Sequence, residues 1–247
     1  MTSSEIDKSQ IRYARLAGFM FLFVDAADML GFYLVSGFQV TGNFVEAAQK
    51  IMESEMLYRF GLSSLLIGGV CTVFLAMGLY GAVKPIDHNL ALVALLFRVV
   101  EVTIGGVVVL LSFASLKLYV DPDYIKAFDV NQLSALINLH SAMFSGVFNI
   151  AALFFSIGSI LFFYLFLKSN YIPKFLSVFV LVGSALVPMV CFASLLSPQP
   201  PRILLLGWLP IGLAEILVGF WLLIKGVNDG PRTSVSQATV NKSETGT

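Results

Sequence analysis

The chain has 247 residues, 57% hydrophobic and 12% charged, with 15 basic and 15 acidic side chains and a formal net charge of zero. Soluble domains carry roughly 25% charged residues, so this depletion, gathered around long apolar runs, reads as an all-α polytopic membrane protein. The balanced charge excludes a basic face for nucleic acid.

Residues 1–10 form a polar cytoplasmic N-terminal segment, 11–227 a six-helix transmembrane domain and 228–247 a disordered cytoplasmic tail. The first apolar run, from Leu16 to about Phe38 within a span of about 11–37, is too long for a signal-peptide core and is interrupted by Asp25 and Asp28. It predicts the first crossing helix. Residues 44–56 place charges and apolar residues on opposite faces, as a short helix lying at the interface does. Further spans follow at about 57–83, 89–117, 132–168, 172–196 and 203–226, each long enough to cross in one bundle. Asp129-Val-Asn-Gln132 reads as a capping box that starts the fourth span outside the bilayer. The short Lys168–Pro173 connection makes spans four and five an antiparallel hairpin, with Pro173 in the first turn of the fifth helix. Pro188 is expected to kink that helix, and Ser197-Pro-Gln-Pro-Pro201 to end it. The tail from Asn228 is polar, and Asn241-Lys-Ser243 matches a glycosylation sequon that a cytoplasmic position would leave unmodified.

With the N-terminus inside, nine basic residues fall on the inner side (Lys8, Arg12, Arg15, Lys84, Lys168, Lys174, Lys225, Arg232, Lys242) and five outside (Lys50, Arg59, Lys117, Lys126, Arg202). That asymmetry puts both termini in the cytoplasm and the protein in the cell membrane.

Five ionisable residues lie within the spans: Asp25, Asp28, Arg98, Glu101 and Glu215. A charge at the bilayer centre costs roughly 3 kcal/mol unless it finds a partner or a wet cavity. Helical spacing puts each on a stripe with small or polar residues. These stripes are Gly18, Asp25, Asp28, Phe32 and Ser36; Ala91, Ala94, Arg98, Glu101, Gly105 and Ser112; and Trp208, Gly212, Glu215, Gly219 and Gly226, while Gly61, Ser64, Gly68, Cys71 and Gly78 and then Asn138, Ser145, Asn149 and Ser156 form similar stripes without a charge. Asp25, Glu101, Asn149 and Glu215 all fall about a dozen residues from a helix end, near the midplane. Asp28 lies further out, toward Arg59 or His140. The candidate polar site is therefore Asp25, Asp28, Arg59, Arg98, Glu101, His140, Asn149 and Glu215.

Two readings of this constellation stand. Arg98 and Glu101 at i,i+3 form a local pair, and the remaining groups serve as packing glue. Alternatively, one arginine faces four acids, burial and like charge disfavour ionised carboxylates, and the centre carries mobile protons. The histidines His88 and His140 show no metal-ligand spacing, and no cofactor motif is present. Cys71 and Cys191 fall inside apolar runs and read as packing residues. The 22 phenylalanines read as lipid-facing and core residues, with an aromatic-lined pocket as the sharper alternative.

Two long segments, Leu167-Lys-Ser-Asn-Tyr-Ile-Pro-Lys-Phe-Leu-Ser-Val-Phe-Val-Leu-Val-Gly183 and Leu209-Pro-Ile-Gly-Leu-Ala-Glu-Ile-Leu-Val-Gly-Phe-Trp-Leu-Leu-Ile-Lys-Gly-Val-Asn228, resemble the bacterial integral-membrane family catalogued as domain of unknown function 4386. Ala14-Arg-Leu-Ala-Gly18 and Glu55-Met-Leu-Tyr-Arg-Phe60 add to the likeness, which covers about 12–228. Phe175 and Phe179 stand where many members carry tryptophan. The resemblance implies a six-helix bacterial membrane protein and no assigned activity. It favours Glu215 and Arg59, which lie within its motifs.

The expected function is binding or translocation of a small molecule, lipid or ion at a midplane site with protonatable carboxylates. The alternatives are an intramembrane enzyme, in which a buried carboxylic acid protonates a lipid or isoprenoid, and a structural or regulatory membrane partner. The partners expected are the lipid bilayer and a small-molecule or lipid ligand.

Overall fold

A chain in lipid must satisfy its backbone hydrogen bonds internally, so long apolar segments become helices. The computed structural model describes residues 8–38, 44–197 and 206–228. Among these, eight α-helices form: α1 (Lys8–Ser36), α2 (Phe44–Glu53), α3 (Glu55–Val83), α4 (His88–Val120), α5 (Pro122–Ala127), α6 (Val130–Ser169), α7 (Lys174–Leu196) and α8 (Leu209–Ile224). Six are long and apolar enough to cross a membrane: α1, α3, α4, α6, α7 and α8 with the turn preceding it. These are the six expected spans. The Pro-rich stop after Ser197, the tail beyond Asn228 and its sequon lie outside the described residues.

The local signals work as their chemistry requires. Asp129 accepts from the Gln132 amide at 2.9 Å while Gln132 Oε1 accepts from the Asp129 amide at 3.0 Å. This box launches α6, whose 40 residues extend about 60 Å, well beyond the hydrocarbon core. Asn170 ends it in the left-handed region, φ 56°, a conformation asparagine tolerates better than other side chains. Pro173 is the N-cap of α7 rather than a first-turn residue. The short helix α5 was not expected; Asp121 caps it and Pro122 opens it.

The crossing helices form a closed ring in the order α1, α3, α4, α6, α7, α8, with α8 returning to α1. Packing, rather than hydrophobic burial, holds helices together in lipid, and small residues set the closest approaches. Gly18 of α1 lies directly on the α8 backbone at Gly219–Leu223. Gly183 of α7 meets the backbone of Ile211. Pro188 sits within α7 and has no N–H to offer the Ser184 carbonyl one turn back. That carbonyl accepts instead from Ser156 Oγ of α6, at 2.6 Å.

Two apolar clusters pack the ring, the first of them running along α7 and α8. It includes Phe21, Leu79, Ala94, Phe162, Phe166 and Leu222, toward the end where α1 begins and α8 ends. A polar latch closes that end: Gln10 Nε2 donates to Ala82 O (3.1 Å) and Tyr171 Oη (3.3 Å), and the Asn228 amide donates to Tyr171 O (2.8 Å). The other cluster joins Val35, Leu62, Leu116, Tyr119 and Leu133 to the buried face of α2, Phe44, Ala47, Ala48 and Ile51. The expected amphipathic helix α2 thus buries its apolar side against α3, α4 and α6.

Candidate functional site

Between the two clusters lies a cavity of about 550 Å³, walled by α1, α3, α4, α6 and α8. All five ionisable residues within the spans line it: Asp25 and Asp28 from α1, Arg98 and Glu101 from α4, and Glu215 from α8. Their helices bring them together because each charge shares a face with the small residues that pack against neighbours.

Arg98 is buried, with 4% of its surface exposed. Its Nη1 lies 3.1 Å from Glu101 Oε2, although neither atom reaches hydrogen-bond geometry and Nε has no hydrogen-bond partner. The guanidinium carbon sits 4.8 Å from the centroid of the Phe155 ring, a favourable place for a cation. Gly158 makes room for the arginine stem: a Cβ there would stand 3.0 Å from Arg98 Cδ. One arginine is thus held by a carboxylate on its own helix and by an aromatic face and a glycine on α6.

The other three acids have no such partner. Asp25 Oδ2 is buried with no hydrogen bond. Asp28 lies so close to Gly68 of α3 that a Cβ at that position would collide with its carboxylate. Glu215 lines the same wall as Asp25, Asp28, Arg98 and Glu101. No ion pair joins Asp25, Asp28 or Glu215 to a cation among the described residues. Thr72 also lines the wall, but its hydroxyl donates to Gly68 O.

Most of the remaining wall is apolar and aromatic. Phe32, Phe148 and Trp208 run across α1, α6 and the start of α8, the first pair edge to face with centroids 5.7 Å apart and the second tilted with centroids 5.4 Å apart. Gly105 and Gly212 leave open space: a Cβ at either would have no neighbour within 4 Å. The wall is not sealed, since the lining residues Met29 (68%) and Val70 (55%) are well exposed. Both lie inside helices long and apolar enough to cross a membrane.

The profile of the family described as Domain of unknown function (DUF4386) matches residues 16–226. The chain belongs to this family. The matched segment contains every residue that lines the cavity. No curated protein and no solved structure matches the chain. The family's description carries no activity, so the chemistry rests on the geometry alone.

Three candidates from the sequence stand apart from the cavity. Arg59 is in the first turns of α3 and pairs with Glu55, Nε to Oε1 at 2.6 Å, on an exposed surface. It therefore does not serve Asp28, because a carboxylate one turn away on the same helix takes it first. His140 packs edge-on against Phe144 and is absent from the cavity wall. Asn149 is buried, but its Nδ2 donates to Ser145 O on its own helix at 2.8 Å. Its neighbours Phe148, Ala151, Ala152 and Phe155 form the α6 wall instead. That set has the i, i+3, i+4, i+7 spacing of one helical face, the signal by which Phe155 could have been found. The stripe containing Asn138 and Ser145 is exposed at those two positions. Gly105 and Gly219, each four residues beyond a glutamate, also differ: the first borders open cavity and the second packs on Phe21 and Leu22.

Proposed function

We propose that this protein binds a small membrane-soluble molecule in the cavity and either carries it across the bilayer or responds to its presence, using the carboxyl groups of Asp25, Asp28, Glu101 and Glu215 to engage it. It does so in the cell membrane, with both termini in the cytoplasm, as the basic-residue asymmetry favours. The observation that carries this reading is the cavity itself. A bundle held together by polar glue needs no void and pairs its polar groups. Here an opening of about 550 Å³, within the usual range for small-molecule sites, surrounds three acids without cationic partners. The exposure of the lining residues Met29 and Val70 on membrane-crossing helices supports a ligand that partitions into lipid.

The test is retention of a native small molecule. The protein is purified in mild detergent, and what it holds is released and identified by mass spectrometry. The same is done for Gly105→Leu and Gly212→Leu, which add bulk to the cavity at positions where a Cβ meets no neighbour within 4 Å. A species enriched with the parent protein and lost from both variants is the expected result. Equal recovery from parent and variants would place the molecule elsewhere and overturn the proposal.

A further inference from the structure

We infer that the ligand is an organic cation with an apolar body, a protonated or quaternary amine being the simplest case. This rests on the cavity-binding reading above and specifies what the cavity selects.

Charge is the first ground. The wall carries four carboxyl groups and one guanidinium, and Glu101 and the Phe155 ring already hold that guanidinium. Asp25, Asp28 and Glu215 remain. A carboxyl group in a low-dielectric site either holds a proton or meets a cation. The buried, unpartnered Oδ2 of Asp25 is an acceptor with nothing from the protein to accept.

Spacing is the second. Among the described residues no three His, Cys, Asp or Glu side chains converge closely enough to hold a metal ion. The carboxyl groups are spread over α1, α4 and α8 around a large space, rather than gathered at the 2.0–2.6 Å that small hard cations require. A diffuse organic cation needs no such convergence. It can lie between the acids and place its charge against aromatic faces, and Phe32, Phe148 and Trp208 provide these.

The third ground is the rest of the wall. It is largely apolar, and its exposed residues Met29 and Val70 lie on membrane-crossing helices, a surface by which an amphiphile can enter sideways with its hydrocarbon portion in lipid. The free Nε of Arg98 argues for an anion instead. It belongs, however, to a side chain 4% exposed whose charge is already matched on its own helix.

The experiment compares three probes of nearly equal shape on the full chain in detergent: tetraphenylphosphonium, uncharged tetraphenylmethane and tetraphenylborate. Binding is read by competition against radiolabelled tetraphenylphosphonium and by direct calorimetry of each probe. The phosphonium should bind best, and Asp25→Asn combined with Glu215→Gln should weaken it at least about tenfold. These replacements keep the side-chain shape. If that variant does not fold, the ranking of the three probes on the parent protein decides alone. Equal binding of all three overturns cation selection while leaving cavity binding intact. Preference for the borate overturns it in favour of Arg98 as the anchor. Binding of none overturns both this inference and the function on which it rests.

Discussion

Replacing Gly18 with alanine tests the contact that closes the ring between α1 and α8. A Cβ at that position stands 2.7 Å from Gly219 O and 2.8 Å from the Leu222 carbonyl carbon, and nearer still to the Leu223 amide nitrogen. The 2.7 Å approach falls about 0.7 Å short of the 3.4 Å at which ordinary van der Waals contact begins. All three neighbours are backbone, so no side chain can swing away and the two helices must part. Overpacking of this kind costs about 1–3 kcal/mol. Alanine returns about 1 kcal/mol of helix propensity. All three contacts are under 3.0 Å and on backbone, so the upper part of that range, about 2–3 kcal/mol, applies, and the net expectation is a destabilisation of about 1–2 kcal/mol, since lost interhelical packing is not replaced by a hydrophobic gain in lipid. Gly105→Ala is the control. Nothing lies within 4 Å of its new Cβ, so only the propensity term acts, and the protein should become more stable by up to about 1 kcal/mol. Reversible unfolding by sodium dodecyl sulfate in mixed micelles, followed by far-ultraviolet circular dichroism, reads both variants. The two changes must have opposite signs. A Gly18→Ala protein as stable as the parent would show that α1 and α8 do not meet at this glycine, and the reasoning would fail.

Arg98→Ala leaves the Glu101 carboxyl without its cation and should cost about 3 kcal/mol or more, with partial recovery when Glu101→Gln is added. The same denaturant titration checks this, and a single variant as stable as the parent would show that the pair contributes nothing. Ser156→Ala removes the hydroxyl that satisfies the Ser184 carbonyl and should cost about 1 kcal/mol. In a Pro188→Ala background that carbonyl regains a helical N–H, so the cost of Ser156→Ala should shrink; an unchanged cost would break the link between proline and serine. Reporter fusions at Ile125 should read outside and at Ile86 inside, and a cytoplasmic signal at Ile125 would overturn the orientation.

Much of this protein is written in its local chemistry. Six runs of apolar residues longer than a bilayer is thick have only one economical backbone state in lipid, so the spans follow from hydropathy alone. The α6 capping box and the amphipathic face of α2 are equally local, resting on side chains three or four positions apart. The interior charges could be singled out because their cost in hydrocarbon is independent of the fold. Periodicity then told which residues share a face of one helix, but not which helix that face meets. That choice depends on how surfaces fit over distances of tens of residues: Gly18 on the α8 backbone, Gly183 on Ile211, Ser156 on the carbonyl that Pro188 leaves free. Only the assembled ring could place Asp25, Asp28, Arg98, Glu101 and Glu215 on one cavity. The same assembly leaves α7 out of the cavity wall, gives Arg98 the Phe155 face, and keeps Arg59 for Glu55 and Asn149 for its own helix. Sequence spacing cannot decide such competitions, because the partner that wins is the one nearest in space.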